Sequence, residues 1–402
     1  MKKITCLLAL LLAFAMIFSF AGCGKNPTES SANESSISES SVSEASEVES
    51  NEPFFVFVAT SDLHVDYGVQ KFDPPIRPST LDAFEDIKAL NVNVMALLGD
   101  LTSNTTGKGI TAKTYDAVIT TITENAKAAV SSGRVLFVDG NHDFVAGGTK
   151  FNSGNYIKYM TETCGEFVDS IYQQNIDEYV DEGDEGTIEH VLGFHYVIDG
   201  VDIIGINTPY EGGDKHSDYY YYPESLEWLD QTLAKIGADK TVIVLGHYPL
   251  SDSNNIYNAS KGTSNTYNTD DLMHSTLAKY PNAIYLYGHD HGGPKYKKSS
   301  DERMTFYDSE GEVYEENVFS SKTETEEVCD AAPGFITAFV GSMAYYDGAL
   351  GKDDYHCVQS LLISFYKDRI EFQIINHKEP ATGGIQDLPK VTVMRDLSQY
   401  VK

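Results

Sequence analysis

From residue 54 onward, short apolar runs alternate with longer amphipathic stretches. The apolar runs are rich in branched side chains, which is typical of strands buried in a parallel sheet. The amphipathic stretches repeat their apolar residues with the period of a helix. The predicted buried strands are residues 54–60, 92–98, 134–138, 241–245 and 283–287, and the predicted helices are residues 79–90, 111–131, 155–173 and 223–236. Such alternation predicts an α/β fold.

Two further pairs of apolar runs predict β-hairpins. The first pair spans residues 194–207 and is interrupted by Asp199-Gly200, a dipeptide that favours a tight two-residue turn. The second pair spans residues 358–375 and turns at a Lys-Asp dipeptide. Hairpins that frame a strand–helix alternation predict a two-sheet β-sandwich flanked by helices.

The sandwich is assigned to residues 53–378. Within it, the stretch 292–334 has many charges and little periodicity, so it is an insertion with no predicted structure. Residues 379–402 are set apart as a C-terminal tail.

The first 22 residues predict an export signal. Two lysines precede an apolar run at residues 7–20, which has the length of a signal-peptide core and is short for a membrane span. Ala21-Gly22 directly before Cys23 resembles a bacterial lipobox, so Cys23 is the expected site of lipidation. An ordinary secretory peptide cleaved nearby is the alternative. Both interpretations place the domain outside the cytoplasm, and lipidation anchors it to the cell membrane.

Residues 23–52 predict a disordered tether. They are dominated by Ser and Glu and contain few apolar side chains, so they cannot bury enough surface to fold. A tether of this kind would hold a lipid-anchored domain clear of the membrane.

The cysteine count is compatible with export but does not fix a disulfide. After loss of the signal peptide and lipidation of Cys23, Cys164, Cys329 and Cys357 remain. An oxidising compartment permits one disulfide, with Cys329–Cys357 the favoured pair, and three free thiols are equally compatible.

The charge balance excludes polyanionic partners. The chain has 29 basic and 60 acidic side chains, a formal net charge of −31, and no basic stripe offsets it. Such a surface repels nucleic acid and anionic membranes. A small anion could still reach a site that metal ions make locally positive.

Five loops rich in Gly, Asp and His directly follow predicted strands. They are Asp62-Leu63-His64, Gly99-Asp100, Gly140-Asn141-His142-Asp143, Gly246-His247 and Gly288-His289-Asp290-His291. The carboxyl ends of strands in open α/β sheets are where ligand sites form, so we expect these side chains to lie together. A lone histidine is more often structural than a ligand, but five such loops in order at strand ends are not explained by chance.

The loops offer oxygen and imidazole donors without thiolate, which suits Mn, Fe or Zn and disfavours a structural zinc site. Two divalent or trivalent ions about 3.5–4 Å apart would clamp the attacking and leaving oxygens of an in-line displacement at phosphorus. Such a pair needs one bridging carboxylate, and Asp100, alone on its loop, is the natural candidate.

The ordered set D-x-H, G-D, G-N-H-D, G-H and G-H-x-H resembles the calcineurin-like metallophosphoesterase superfamily. The resemblance covers nearly all of the predicted folded part. It implies that one metal is bound by Asp62, His64 and His291, that the other is bound by Asn141, His247 and His289, and that Asp100 bridges them. It also implies that His142 donates a proton to the leaving oxygen and stabilises developing charge, and that Asp143 orients the His142 imidazole or raises its basicity. The implied nucleophile is a metal-bridging hydroxide that attacks a phosphate ester in line.

Departures from better-defined subfamilies narrow the function. Purple acid phosphatases carry a Tyr where this chain has Ser103, and the Asp-Arg-Gly of protein Ser/Thr phosphatases is missing after Asp100. The chain also has no room for the large C-terminal domain of bacterial 5′-nucleotidases. The pattern that remains resembles exported enzymes that act on a small phosphomonoester or phosphodiester.

The alternative is a non-catalytic metal-binding or adhesive surface lipoprotein that retains the fold. The predicted tether and lipidation suit it equally well. His142-Asp143 favours the enzyme, because a pure metal binder has no use for a proton donor beside the metals.

Overall fold

The structure is a computed structural model that describes parts of residues 52–401. The described residues are 52–64, 76, 78–101, 112–140, 143, 145–146, 149–150, 180–183, 187–191, 193–206, 221, 223–250, 268–289, 304–315, 327–329, 334–343, 358–377 and 386–401. The predicted signal peptide, Cys23, nearly all of the tether and the predicted helix 155–173 lie outside them. No helix within these ranges is long and apolar enough to cross a membrane.

The described ranges contain four α-helices, eighteen strands and a 3₁₀ helix at Ser398–Tyr400. The helices are α1 (Pro78–Ala89), α2 (Ala112–Ala129), α3 (Pro223–Ile236) and α4 (Asn268–Leu277). The strands of the amino-terminal half are β1 (Phe55–Thr60), β2 (Val94–Leu98), β3 (Val135–Val138), β4 (Val145–Ala146), β5 (Thr149–Lys150), β6 (Val180–Gly183), β7 (Thr187–Val191), β8 (Gly193–Ile198) and β9 (Val201–Ile206). Those of the other half are β10 (Val242–Leu245), β11 (Ala283–Tyr287), β12 (Met304–Tyr307), β13 (Val313–Glu315), β14 (Glu327–Cys329), β15 (Ile336–Phe339), β16 (Gln359–Phe365), β17 (Arg369–Asn376) and β18 (Gln386–Met394). All five predicted buried strands are present, within two residues of their predicted bounds.

Fourteen of these strands form two mixed sheets. The first has the order β14-β18-β17-β16-β1-β2-β3, and the second has the order β13-β12-β15-β11-β10-β9-β8. Strands β1, β2 and β3 run parallel, as do β9, β10, β11 and β15, and the outer strands extend each sheet mainly in antiparallel pairs. Two short hairpins, β4–β5 and β6–β7, lie outside the two sheets. The predicted two-sheet α/β architecture with flanking helices is confirmed.

Alternate residues of the second sheet enter two different cores. Ile243 and Leu245 of β10 belong to the larger core, which also contains the parallel strands of the first sheet. Val242 and Val244 belong to the smaller core, together with side chains of α3 and α4. Successive residues of a strand point to opposite faces, so the second sheet is buried on both sides. The two sheets therefore pack face to face, and α3 and α4 cover the outer face of the second.

Both predicted hairpins are confirmed. Strands β8 and β9 pair up to Ile198 and Val201, and the connecting Asp199 and Gly200 have φ angles of 51° and 87°. Two consecutive positive φ angles define the turn type that matches the twist of the strands, which is why Asp-Gly is favoured there. Strands β16 and β17 pair in the same antiparallel way across the Lys-Asp turn.

The described residues beyond 378 belong to the folded domain, which corrects the expectation of a tail. Strand β18 lies between β14 and β17, and its Val391 and Val393 are fully buried. The charged stretch 292–334 likewise supplies β12 and β13 to the second sheet and β14 to the first. Strand β13 lies at the edge of the second sheet and leaves Tyr314 62% exposed. Its sequence therefore does not show the apolar alternation that marks a half-buried strand.

The segment after β18 ties the first sheet to the amino ends of β10 and β11. The Tyr400 hydroxyl accepts the N–H of Thr241 at 2.9 Å and donates to its carbonyl at 3.3 Å. The Arg395 guanidinium donates to the Asn282 carbonyl at 3.2 Å. The Tyr400 ring also stacks on Phe54 at a centroid distance of 6.2 Å. These contacts join the two sheets at the end opposite to the loops predicted to carry the chemistry.

We predict that Tyr400→Phe lowers the free energy of unfolding by about 1 kcal/mol, because both bonds to the Thr241 backbone are lost. Urea denaturation of the purified protein measures this loss. Tyr314→Phe is the matched control, since its ring is 62% exposed, and it should unfold as the wild type does. Equal unfolding free energies for the two variants would contradict the contacts assigned to Tyr400.

Candidate metal centre

Six predicted site residues are described, and each lies in the loop that follows the carboxyl end of a strand. They are Asp62 and His64 after β1, Asp100 after β2, Asp143 after β3, His247 after β10 and His289 after β11. Asn141, His142 and His291 lie outside the described residues. Strands β1 to β3 belong to the first sheet, whereas β10 and β11 belong to the second, so both sheets contribute to the site.

The side chains of these loops form two overlapping groups of donors. One group is Asp62, His64 and Asp100, and the other is Asp100, His247 and His289. Within each group, one ligand atom from every residue lies within 4.8 Å of the others. Asp100 is common to both groups, which is the position required of a carboxylate that bridges two cations.

The donors converge at short distances and are shielded from water. Asp100 Oδ2 lies 3.7 Å from His64 Nε2 and 3.4 Å from His247 Nε2, and His289 Nδ1 lies 3.2 Å from His247 Nε2. Asp62, Asp100 and His247 are fully buried. Two neighbouring carboxylates are costly to bury unless positive charge compensates them. Oxygen and imidazole donors in such a place therefore fit metal cations.

His247 is held so that its Nε2 faces the other donors. Its Nδ1 donates a hydrogen bond to the Leu98 carbonyl at 2.7 Å, which fixes the ring orientation from β2. Burial alone would lower the pKa of His247, but the charge and hydrogen bond of Asp100 outweigh it and raise that pKa to about 10. The neighbouring carboxylates therefore favour a positive charge at His247 Nε2, and a position that binds a metal cation requires such an environment.

Four of the donors have a backbone conformation that L-residues rarely adopt. Asp62, His64, Asp100 and His289 have φ angles of 52°, 41°, 53° and 71°. Each such residue is strained by roughly 1 kcal/mol or more, so the surroundings must hold it in place. The N–H of Asp62 donates to the Gly99 carbonyl and that of His64 to the Asp100 carbonyl, both at 3.0 Å. These bonds fix the β1 loop to the β2 loop.

Two glycines allow the loops to approach one another. A Cβ on Gly99 would lie 2.6 Å from both the Gly140 nitrogen and His247 Nδ1. A Cβ on Gly140 would overlap the Asp100 carboxylate. The close approach of these two turns is therefore what permits Asp100 to lie between the two donor groups.

The two sheets are joined beside Asp62. Ser61 forms an isolated parallel bridge with Ser342, which follows β15 of the second sheet. The Met343 N–H donates to the Ser61 carbonyl at 3.0 Å, and the His289 N–H donates to Asp62 Oδ2 at 2.9 Å. Neither Ser61 nor Ser342 could be recognised from the sequence as a site residue, because a lone serine after a strand has no distinctive pattern.

Asp143 supports the loop that carries Asp100. Its carboxylate accepts backbone N–H groups from Asp100, Leu101 and Gly140, each at 2.8 Å. Burial and the nearby Asp100 charge raise the pKa of Asp143, and the Gly140 N–H opposes them. The role suggested by the resemblance, orientation of His142, stays a prediction, and the contact with the Asp100 loop is one that the sequence did not indicate.

Comparison with known proteins identifies the family of the chain. The family model for calcineurin-like phosphoesterases matches residues 55–293. A search of the curated proteins found no match. Among solved structures, a purple acid phosphatase from yellow lupin (Lupinus luteus) seeds is 15% identical with a TM-score of 0.50, and the match covers 87% of this chain and 56% of the lupin chain. A dimetal phosphatase from Danio rerio is 12% identical with a TM-score of 0.49, covering 85% of this chain and 99% of that one.

The chain belongs to the calcineurin-like phosphoesterase family, because the family model covers more than half of it. It is a metal-dependent phosphoesterase, and its buried Asp and His donors are candidate ligands for the metals of that family.

We predict that Asp100→Asn reduces the number of tightly bound metal ions from two to one or none. The neutral amide lacks the negative charge with which a bridging carboxylate offsets the charges of two cations. Elemental analysis after gel filtration measures the ratio of metal to protein. The matched control is Asp202→Asn, which removes a carboxylate paired with His195 at 2.8 Å outside the site. Two ions retained in Asp100→Asn would show that Asp100 does not bridge them.

We also predict that metal binding releases protons and weakens as the pH falls. Since the pKa of His247 is raised, its Nε2 carries a proton at neutral pH that the metal must displace. The apparent affinity should therefore rise with pH up to about pH 10, by up to about tenfold per unit for each displaced proton. Calorimetric titration at pH 8 in two buffers of different ionisation enthalpy counts the protons. A count of zero would be inconsistent with the raised pKa.

Proposed function

We propose that this protein hydrolyses a small phosphomonoester or phosphodiester outside the cytoplasm, with two metal ions held around Asp100. The observation that carries the proposal is the place of Asp100, which is shared by the Asp62–His64 pair of the first sheet and the His247–His289 pair of the second. Two-metal phosphoesterases need this arrangement, because both the attacking and the leaving oxygen must be stabilised.

The ligand assignment follows from the described donors and the family motifs. We assign Asp62, His64 and His291 to one ion, Asn141, His247 and His289 to the other, and Asp100 to both. Donors of this kind suit Mn, Fe or Zn. When bound, two such ions supply a hydroxide nucleophile near neutral pH and neutralise charge on the phosphoryl group.

The chain itself supplies the proton and the positioning. His142 directly follows the proposed ligand Asn141 in the sequence, and we propose that it is not itself a metal ligand. Its imidazole donates a proton to the leaving oxygen. The bonds from Gly140 and Asp100 to Asp143 hold the β3 loop against the β2 loop.

A small substrate is supported by charge and by burial. The formal net charge of −31 repels a polyanion such as nucleic acid. The described donors are buried except for His289, which is half-buried, so the reacting phosphate must enter below the protein surface. A compact ester can do so more readily than a macromolecule.

The proposal is tested with p-nitrophenyl phosphate and bis(p-nitrophenyl) phosphate. The protein is stripped of metal, loaded separately with Mn, Fe or Zn, and assayed on both esters. Metal-dependent turnover of either ester is expected, and the ratio of the two rates distinguishes a monoesterase from a diesterase. Protein that holds two ions yet turns over neither ester would contradict the proposal.

We predict that His142→Ala keeps both metals and lowers kcat by about 10²–10⁴-fold on an ester with a poor leaving group. The loss should be much smaller on a p-nitrophenyl ester, because that leaving group departs without a proton. Parallel assays on phenyl phosphate and p-nitrophenyl phosphate, or on the corresponding diesters, measure the difference. An equal loss on both esters would refute proton donation, and His195→Ala serves as a control histidine variant.

The proposed location rests on the amino-terminal sequence. An export signal, a cysteine preceded by Ala-Gly, and a Ser- and Glu-rich stretch are the features of a lipid-anchored domain on a tether. We propose that Cys23 is lipidated and that the enzyme acts at the outer face of the membrane.

We predict that Cys23→Ala moves the protein from the membrane fraction to the soluble extracytoplasmic fraction of a bacterium that processes lipoproteins. Fractionation with immunoblotting, together with incorporation of radioactive palmitate, measures both anchoring and acylation. Cys164→Ala is the control and should stay membrane-bound. A Cys23→Ala protein that still incorporates palmitate would show that the acylated residue is not Cys23.

A further inference from the structure

Three buried tyrosines lie directly behind the His247 loop. Tyr221 precedes α3, Tyr285 lies on β11, and Tyr248 follows His247. All three are at most 9% exposed. Gly246 packs so closely against these tyrosines that a Cβ at this position would lie 2.5 Å from the Tyr285 hydroxyl.

The hydrogen bonds among these tyrosines form a closed cycle in which each bond donates in the same sense. The Tyr285 hydroxyl donates to the Tyr248 carbonyl at 2.5 Å, so it must accept from the Tyr221 hydroxyl, which lies 2.7 Å away. The Tyr221 hydroxyl in turn accepts the Tyr248 N–H at 3.1 Å. The backbone of Tyr248 is therefore held at both its N–H and its carbonyl by side chains from two other elements.

The ring of Tyr248 contacts both imidazoles of one donor group. Its centroid lies 4.8 Å from that of His289 at an interplanar angle of 69°, and 5.3 Å from that of His247 at 64°. The two imidazoles are themselves 5.1 Å apart at 79°. Edge-to-face packing at these distances is favourable and directional, so the three rings restrain one another.

We propose that Tyr248 is a positioning residue that sets the relative orientation of His247 and His289, and that Tyr221 and Tyr285 fix it for this task. The inference rests on the proposed function, because it concerns the metal that those two imidazoles would hold. Tyr248 does not itself provide the ligand. It acts through the two rings that it touches, as groups behind a metal ligand commonly do.

The test measures metal binding and does not depend on turnover. Metal-stripped protein is titrated with Mn by calorimetry, and the visible absorption spectrum of the Co-loaded protein reports the geometry of the ligands. Tyr248→Leu removes the ring and should raise the dissociation constant of one ion by roughly 10–100-fold, leaving the other unchanged. Tyr248→Phe keeps the ring and both backbone bonds, so it should bind as the wild type does.

Hydroxyl variants give an independent measurement if Tyr248→Leu fails to fold. Tyr221→Phe and Tyr285→Phe each break the closed cycle and should weaken one ion about tenfold and change the Co spectrum. The matched control is Tyr280→Phe, which removes a hydroxyl bonded to Asp230 at 2.9 Å and 3.0 Å away from the donor loops.

The outcomes separate the two proposals. Two-ion binding in the wild type, with Tyr221→Phe and Tyr285→Phe indistinguishable from Tyr280→Phe in affinity and spectrum, would overturn the positioning role and leave the proposed function standing. Wild-type protein that binds no pair of ions would contradict the proposed function and the positioning role together.

Discussion

The site depends on keeping a negative charge buried at Asp100. A carboxylate with no exposure is stable only where positive charge or hydrogen-bond donors surround it. His64 and His247 approach it from opposite sheets at 3.7 Å and 3.4 Å, and metal cations would complete the compensation. The same need extends to Asp143, whose three N–H donors come from the loops that it joins. The need to compensate these two buried carboxylates thus determines where the metal donors gather and which loops contact one another.

The second constraint is the alignment of two sheets that share one site. Asp62, His64 and Asp100 follow strands of the first sheet, whereas His247 and His289 follow strands of the second. A slide of one sheet past the other would therefore separate Asp100 from His247 and His289. The Ser61–Ser342 bridge and the bond from His289 to Asp62 oppose such a slide at the site. The contacts of Tyr400 and Arg395 oppose it at the far end. Contacts at both ends of the sheets thus hold in register the strands from which the donor loops begin.

The sequence predicted the parts of the fold in which one pattern is repeated. The parallel strands are continuous apolar runs because both of their faces are buried, and Asp199-Gly200 marked a hairpin because its turn requires positive φ. Strand β18 escaped prediction because the alternation that contains the buried Val391 and Val393 is short, and the first half of the strand is mostly polar and includes Pro389. The candidate ligands could be found because their residue types are unusual together at strand ends. Ser342, Tyr248 and the N–H bonds of Asp143 could not be found, because they depend on which strands become neighbours.

The left-handed backbone at four donors explains why the motifs use so few residue types. A position with φ near 50° favours Gly, Asn, Asp and His, whereas a position that binds a metal requires Asp, Asn, His or Glu. Asp, Asn and His therefore satisfy both demands. Glutamate meets the chemical demand but is not among the residues favoured at positive φ, which agrees with its absence from the five loop motifs. A substitution that keeps only the charge of a donor is therefore a poor replacement in this fold, because the new side chain must also tolerate a positive φ angle.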